Sequence, residues 1–257
     1  MISAGVSRSV VGRGRARVGR ASGARRACLS TVSPGPVVPI THLLFDLDGT
    51  IANSQPGIVR CLQHGFAAVG LPVPEEDELI PLIGPPLSVG LRRFDLDEAT
   101  IEELIVRYRE RYRPIGIFEA DLYDGMAELI AAGSAAGVTQ AVATSKPEPF
   151  AVQLLDHFDL ARHFTVVAGA TFDDSRAHKA QIIAHALAQM PGATAEHTVM
   201  VGDREYDVLG AAVHGVRAVG VTWGFGTRHE LDAAGAWRIV DSVAGLRALV
   251  HPTDGGA

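Results

Sequence analysis

Two aspartates that follow a short apolar run are the residues of this sequence best suited to chemistry. The run His42–Phe45 leads directly into Asp46, and Asp48 follows one residue later. Because side chains alternate along a strand, the two carboxylates are expected to point the same way. Gly49 and Thr50 come next, and the glycine permits a tight turn. This pattern suits Mg²⁺ binding and acid–base chemistry, although an acidic strand end without a ligand has the same local appearance.

A second pair of aspartates follows another apolar run. Residues 198–202 lead into Asp203, and Asp207 lies four positions on, where the next helix should begin. Acids in a first helical turn also simply complement the helix dipole. In a parallel sheet, however, the carboxyl ends of the strands meet at one edge, where ligands usually bind. The two aspartate pairs are therefore expected to converge on one site.

Three further polar residues lie at the ends of predicted elements. Thr144 and Ser145 end an apolar run, and Lys179 opens a helix. The two hydroxyls suit either an N-cap for a helix that begins near Pro147 or a phosphate site that also uses a backbone N–H. A lysine in a first turn is slightly unfavourable beside the helix dipole. That placement weakly favours a functional role for Lys179.

The elements that must position these residues alternate along the chain. Apolar runs typical of buried strands occur at 42–46, 138–144, 164–168, 197–202 and 217–221, with a weaker one at 237–240. Helical patterns lie between them at 124–136, 148–157, 178–189 and 206–213. This alternation predicts an α/β fold in which helices cover both faces of a parallel sheet.

The interval between the first two predicted strands is much longer than the others. Residues 56–69 and 98–112 each place their apolar side chains on one helical face, as with Phe66 and Tyr108. We expect a helical insertion that forms a second lobe. The predicted scheme is a disordered leader at 1–38, a core at 39–55 and 123–251, a cap at 56–122 and a disordered tail at 252–257.

Composition limits the function classes. The net charge is −6, but residues 1–38 hold seven arginines and no acid, which leaves 16 basic against 29 acidic groups in the remainder. An acidic body argues against nucleic-acid binding, and no apolar run approaches the roughly 18 residues that span a membrane. Two cysteines are typical of a reducing compartment, so we expect a cytoplasmic protein. The leader reads as a flexible tail or a wrongly chosen start, with organellar targeting as the alternative.

Taken in order, the four motifs resemble those of the haloacid dehalogenase-like (HAD) phosphohydrolase superfamily over about residues 41–250. The detail is similar to the phosphoglycolate phosphatase/5′-nucleotidase branch, with matching strings at 48–54, 83–87, 122–125, 143–147 and 221–226. Asn53 stands where this branch usually has an aspartate. The resemblance implies a Rossmannoid three-layer α/β/α core and a C1-type helical cap.

The resemblance also implies a role for each motif residue. Asp46 would be the nucleophile that forms an aspartyl-phosphate, and Asp48 would be the general acid and base. Mg²⁺ would be held by Asp46, the backbone carbonyl of Asp48 and Asp203. The supporting residues would be Asp207, Gly49 and Thr50, and the phosphate would be bound by Thr144, Ser145 and Lys179.

Three functions fit these residues. The first is a Mg²⁺-dependent phosphatase for a small phosphomonoester, such as phosphoglycolate or a nucleoside monophosphate. The second is a phosphotransferase, either a phosphosugar mutase or a protein-tyrosine kinase of the HAD type. The third, a catalytically silent regulatory protein, is disfavoured by the complete motif set. Substrate and oligomeric state, monomer or dimer, stay open.

The predicted cap offers candidates for substrate recognition. The turn Gly84-Pro85-Pro86 suits either a substrate-facing loop or a purely structural turn. Six cap arginines are candidates for an anionic substrate group, namely Arg92, Arg93, Arg107, Arg109, Arg111 and Arg113. Trp223 and Phe225 follow a predicted strand, where core packing is favoured over a place at the rim of the site.

Overall fold

A computed structural model describes residues 39–173 and 175–250 of the chain. The predictions for the leader at 1–38 and for the tail at 252–257 fall outside these ranges. Within them the structure contains ten α-helices, four short 3-10 helices and eight strands.

Six strands form one fully parallel sheet, which confirms the predicted fold class. The strands are β1 (His42–Phe45), β2 (Ala52–Asn53), β3 (Asp121–Leu122), β4 (Thr139–Pro147), β5 (Val166–Ala170), β6 (Thr198–Gly202), β7 (Arg217–Val221) and β8 (Arg238–Val240). The order in the large sheet is β5-β4-β1-β6-β7-β8. Strand β1 is central because it pairs with β4 on one side and β6 on the other.

The apolar residues of β1 face both layers of the core, as its continuous hydrophobic run predicts. Leu43 and Phe45 pack into one buried cluster, and Leu44 packs into the cluster on the opposite face. All four residues of the strand are buried. Asp46 and Asp48 therefore lie just beyond the end of a strand that is paired with a neighbouring strand on each side.

Helices cover the sheet and fill the long interval after β2. They are α1 (Gln55–Ala68), α2 (Glu76–Leu79), α3 (Leu87–Gly90), α4 (Glu98–Tyr112), α5 (Met126–Ala135), α6 (Glu148–His157), α7 (Lys179–Gln189), α8 (Glu205–Ala212), α9 (Arg228–Ala233) and α10 (Val243–Val250). The predicted helical patterns did not include the short helices α2, α3, α9 and α10. In the part of the chain that the structure describes, no helix has both the length and the apolar character needed to cross a membrane.

The insertion after β2 is helical, as expected. The chain enters it from β2 and leaves it into β3, and these two strands are neighbours. Strands β2 and β3 pair antiparallel, with Ala52 opposite Leu122. Helices α1 and α4 pack against each other so closely that a side chain at Gly65 would crowd the backbone carbonyl of Leu104. Tyr112 of α4 also meets Phe150 of α6 edge to face, with ring centroids 5.3 Å apart. The insertion is therefore packed against the helices of the sheet.

Candidate active site at the carboxyl edge of the sheet

The turn after β1 places the first two aspartates at the carboxyl edge. The N–H of Asp46 still donates to the carbonyl of Val201 in β6 at 2.9 Å, and the chain then folds back on itself. The carbonyl of Leu47 accepts hydrogen bonds from the N–H groups of Thr50, Ile51 and Ala52. Gly49 has a φ of +85°, and a side chain there would collide with the Asp203 carboxylate. Only glycine lets these two strand ends approach so closely.

Three buried carboxylates meet at this edge. One oxygen each of Asp46, Asp203 and Asp207 lies within 4.8 Å of the others. Gly202 makes room for the third, since a side chain at that position would overlap the Asp207 carboxylate. The structure thus brings together the two strand ends that the sequence predicted would converge. Asp48 is not part of this acidic cluster, and its carboxylate contacts Lys146 instead.

Lys179, the first residue of α7, inserts its ammonium group among these carboxylates. Its Nζ lies 3.0 Å from Asp46 Oδ1 and 2.8 Å from Asp207 Oδ1, and it donates to the carbonyl of Ala143 at 3.1 Å. Burial alone would lower the pKa of Lys179, but the two carboxylates outweigh it and hold the pKa above its ordinary value. The lysine is therefore a fixed positive charge beside the candidate nucleophile.

Among the described residues, the hydrogen bonds to the Asp203 side chain come from neutral donors. Its Oδ1 accepts from the Thr50 hydroxyl at 3.1 Å, and its Oδ2 accepts from the N–H of Phe225 at 2.8 Å. Burial, together with the charges of Asp207 and Asp46, raises the pKa of Asp203 well above its ordinary value. Burial raises the pKa of Asp207 as well, while Lys179 opposes that rise. The cluster therefore carries more negative charge than its surroundings compensate.

A divalent cation fits this cluster. Three carboxylates face one ammonium group, and Asp207 Oδ1 receives no well-aligned hydrogen bond within the described residues although the ammonium lies nearby. Each atom that these three residues offer to a metal is a carboxylate oxygen, and hard divalent cations prefer oxygen ligands. The residues present can thus bind a metal through Asp46, Asp203 and Asp207.

The Asp48 carboxylate has a separate set of partners, which sequence reasoning missed. Lys146 Nζ lies 2.8 Å from each of its two oxygens, and the Ser54 hydroxyl donates to Oδ1. The Lys146 ammonium also sits over the ring of Tyr112, 5.1 Å from the centroid. One signal was available in the sequence. The chain contains only two lysines among its 23 basic residues, and both are buried at this edge of the sheet.

The two predicted phosphate-binding residues, Thr144 and Ser145, line the same cavity as Asp46 and Lys146. Strand β4 continues to Pro147, beyond its predicted end, and Thr144 is buried while Ser145 is partly exposed. The side chain of Thr144 does not cap α6. Its hydroxyl oxygen instead accepts from the N–H of Lys146 at 3.2 Å, which leaves the hydroxyl hydrogen available to another acceptor. Both residues line the cavity described next.

A cavity separates the sheet edge from the insertion. Its floor contains Asp46, Asp48 and Thr144, and its roof contains residues 82–88 together with Tyr108 and Tyr112. The turn Gly84-Pro85-Pro86 is part of that roof, so it faces the acidic residues. The predicted insertion thus covers the predicted site.

Among the six cap arginines, Arg109 lines this cavity. Arg92, Arg107 and Arg111 instead form ion pairs with glutamates of the insertion, and Arg113 lies over the rings of Phe150 and Phe172. Neither of the two aromatic residues after β7 is only a packing residue. The Trp223 indole donates to the carbonyl of Thr50 at 3.1 Å, and the N–H of Phe225 binds Asp203.

A parallel sheet that delivers carboxylates and a lysine to its carboxyl edge defines an α/β enzyme whose site lies beyond the strand ends. The family described as haloacid dehalogenase-like hydrolase matches residues 43–221. The chain therefore belongs to the haloacid dehalogenase-like hydrolase family. The resemblance found in the sequence is confirmed, and the phosphatases among its homologues indicate the enzyme class, a phosphoric monoester hydrolase of the HAD type.

Three known proteins illustrate the relationship. Tyrosine-protein kinase PtkA of Mycobacterium tuberculosis is 46% identical over 190 residues, and the chain spans 65% of its length. A 5′-nucleotidase of Pseudomonas aeruginosa is 40% identical over 211 residues, which are 82% of this chain and 95% of that protein. The crystal structure of a predicted phosphatase from Clostridium acetobutylicum superimposes with a TM-score of 0.79 at 35% identity, covering 84% of this chain and all of the other.

Proposed function

We propose that this protein is a Mg²⁺-dependent phosphatase that hydrolyses a small phosphomonoester through an aspartyl-phosphate on Asp46. The observation that carries the proposal is the contact between Asp46 and Lys179, 3.0 Å apart, inside a cluster of three buried carboxylates. A nucleophile, a cation site and a fixed positive charge thereby surround one small volume. Phosphoryl transfer needs those three components and little else from a protein.

In the proposed first step, Asp46 attacks phosphorus and the bond from phosphorus to the ester oxygen breaks. Lys179 is placed to hold the phosphoryl oxygens as charge moves onto the leaving group, and the Thr144 hydroxyl can donate to them. Mg²⁺ bound by Asp46, Asp203 and the carbonyl of Asp48 would reduce the repulsion between the carboxylate and the anionic phosphate. Asp207 supports this arrangement through its ion pair with Lys179.

The proton for the leaving oxygen comes from the second pair of groups. The Lys146 ammonium lies 2.8 Å from both oxygens of the Asp48 carboxylate, so in this ion pair Lys146 can supply a proton to Asp48 and later recover one through it. We propose that Asp48 delivers this proton to the departing oxygen and then takes one from the water that cleaves the aspartyl-phosphate. Hydrolysis releases phosphate and restores the Asp46 carboxylate, so the cycle is balanced.

The cavity favours a small substrate with a polar or anionic leaving group. Its roof is apolar at Ile83 and Leu87, while Lys146 and Arg109 supply positive charge. We assign this roof to a cap formed by residues 56–122, whose ends meet at the β2–β3 pair. A roof over the site excludes water from the reacting groups. Phosphoglycolate and nucleoside monophosphates, the substrate types of the related enzyme classes, are the candidates we favour.

Phosphotransfer to a protein tyrosine is the second candidate. It is supported by the 46% identity over 190 residues to a protein named as a tyrosine kinase. The two candidates share the aspartyl-phosphate and differ in the group that accepts the phosphoryl. Water accepts it in a phosphatase, whereas a tyrosine hydroxyl accepts it in a kinase.

The decisive experiment measures free phosphate released from a panel of phosphomonoesters, with Mg²⁺ or with EDTA. We expect release that depends on Mg²⁺ and that Asp46→Asn abolishes while the circular dichroism spectrum is unchanged. A parallel assay follows radiolabel from ATP into protein. Phosphate release by Asp46→Asn would contradict the nucleophile, and labelled tyrosine without free phosphate would favour the kinase.

A further inference from the structure

The side chain of Arg204 connects the acidic site with the insertion above it. Its Nη1 donates to the backbone carbonyl of Ile83, which belongs to the roof of the cavity. Its Nε donates to Glu230 Oε1 at 2.8 Å, and the side chain is only 13% exposed. We propose that Arg204 is a positioning residue, which holds the turn 83–86 over Asp46 so that the roof fits the substrate. This proposal rests on the proposed function of the cavity.

The backbone of Arg204 is already part of the acidic site. It directly follows Asp203, and its N–H donates to Asp207 Oδ2 at 3.0 Å. The same residue thus contacts the carboxylate cluster with its backbone and the roof with its guanidinium group. A displacement of the roof would therefore also displace Arg204, whose N–H contacts the carboxylate cluster.

The turn is shaped to receive the guanidinium group. Gly84 has a φ of +115°, and a side chain built there would lie 3.2 Å from Arg204 Nη1. This close approach explains why glycine occupies the position, because any larger residue would strain the backbone and crowd the arginine. The carbonyl of Ile83 then points at Nη1.

Glu230 fixes the direction of the guanidinium group. Its Oε1 accepts from Arg204 Nε and from the N–H of Glu205 at 2.9 Å, so it is anchored to the start of α8. Glu230 is itself held in the first turn of α9, where its N–H donates to the Thr227 hydroxyl. A planar guanidinium binds two acceptors in different directions at once, whereas lysine cannot reproduce that fork. The contact thus requires arginine.

The test compares Arg204→Lys with Arg228→Lys in the full chain. Arg228 is a matched control because it forms an exposed ion pair with Asp241 at 3.3 Å, away from the cavity. Hydrogen exchange of the peptides that cover residues 82–89 reports on the roof without requiring catalysis. We expect about tenfold faster exchange there in Arg204→Lys, the size expected for one lost charged hydrogen bond, and no change in Arg228→Lys.

The kinetic arm uses p-nitrophenyl phosphate with Mg²⁺. Arg204→Lys should raise KM about tenfold with a smaller change in kcat, because the roof contacts the substrate while the reacting groups stay in place. Gly84→Ala perturbs the same contact from the roof side and should give both effects if Arg204→Lys folds poorly. Unchanged exchange at 82–89 overturns the proposal, and so does faster exchange with an unchanged KM. If the unmodified protein released no phosphate, the proposed function would fail, while exchange would still decide whether Arg204 holds the roof.

Discussion

The two aspartates of the Asp46-Leu47-Asp48 motif each contact a different buried lysine, and the two pairs differ in their charge balance. Lys179 contacts both Asp46 and Asp207, and Asp203 lies in the same cluster without an ion pair to any described residue. Lys146 serves Asp48 alone, with a contact to each carboxylate oxygen. Three carboxyl groups thus face one ammonium group in the sheet-side cluster of Asp46, Asp203 and Asp207, whereas the cavity-side pair of Asp48 and Lys146 has one of each.

This difference in charge balance indicates different roles for Asp46 and Asp48, which appear equivalent in the sequence motif. The sheet-side cluster has more buried carboxylates than ammonium groups, and this excess favours the binding of a cation. The cavity-side pair is neutral overall and lies under the insertion, beside the volume where a leaving group would sit. The first arrangement suits attack and cation binding, and the second suits proton transfer. The two lysines should therefore respond differently to the same substitution.

Replacing Lys179 with methionine should have the largest effect. It would leave Asp46 and Asp207 as buried carboxylates without their ammonium partner, a loss that typically destabilises a protein by about 3–5 kcal/mol. Activity should fall by about 10²–10³-fold, as when one preorganised charge donor is removed from a transition state. Urea unfolding and phosphate release would measure the two effects. A variant with normal stability would contradict the surplus charge that we assign to this cluster.

Added Mg²⁺ sharpens this prediction. A cation bound by Asp46 and Asp203 would replace part of the missing positive charge and so recover some stability, because a ligand that binds only the folded state stabilises it. Activity should not recover, because the ammonium that contacts the phosphoryl oxygens is still missing. Recovery of both would show that Lys179 serves only to balance charge.

The sheet and most of the acidic cluster could be predicted because they depend on local patterns. Alternation fixes the direction of side chains in a strand, and parallel strands bring their carboxyl ends together. From those two rules Asp46, Asp203 and Asp207 were placed at one edge, and the structure does bring them within 4.8 Å. Lys179 was found through its unfavourable place at a helix start.

The partners of Asp48 could not be predicted by the same rules. Lys146 follows Thr144 by two residues, and it reaches Asp48 only because β4 runs beyond its expected end and lies beside β1. Arg204 contacts Ile83 across 121 positions of sequence, and no periodicity encodes such a contact. Short helices such as α9, six residues long, also have too few turns to show a clear apolar face.

Replacing Lys146 with methionine should have a smaller effect than the same change at Lys179. Methionine keeps the packing against Tyr112, so the loss is confined to the charge. Asp48 retains the Ser54 hydroxyl and is 12% exposed, and water can therefore solvate it. We expect activity to fall by about 10–100-fold through impaired proton transfer, the lower part of the range for general acid–base catalysis.

The control is a comparison of the stability of Lys146→Met with that of Lys179→Met. Lys146→Met should lose less stability than Lys179→Met, because it leaves one carboxylate rather than two without an ammonium partner, and Asp48 keeps the Ser54 hydroxyl. Equal destabilisation by both variants would contradict the difference in charge balance. Unimpaired turnover of Lys146→Met would contradict its part in proton transfer.

The pH dependence of stability should reveal the surplus charge directly. Burial raises the pKa of Asp203 and of Asp207 above their values in the unfolded chain, so the folded state binds protons more tightly. In EDTA, the free energy of unfolding should therefore rise as the pH falls from 7.5 to 5, by about 1.4 kcal/mol for each full unit of pKa difference that is titrated. Urea unfolding at several pH values measures this slope.

Two conditions test the origin of that slope. Mg²⁺ should flatten it, because a bound cation favours the ionised carboxylates and competes with protons. Asp203→Asn should flatten it as well, since it removes one of the titrating groups, whereas Lys146→Met should leave it unchanged. A slope that persists in Asp203→Asn and in Mg²⁺ would assign the pH dependence to groups outside the cluster.

Ser54→Ala should have the smallest effect of the series. The Ser54 hydroxyl donates to the same oxygen of Asp48 that Lys146 contacts, so the carboxylate keeps its charged partner when the hydroxyl is lost. The lost donor is a neutral hydroxyl and the carboxylate keeps its ammonium partner, so we expect turnover to fall by only about threefold to tenfold. The measurement becomes informative when Ser54→Ala is combined with Lys146→Met. Because both residues hold one carboxylate, the double variant should lose more activity than the product of the single losses. Simple multiplication of the two losses would show that they act on Asp48 independently.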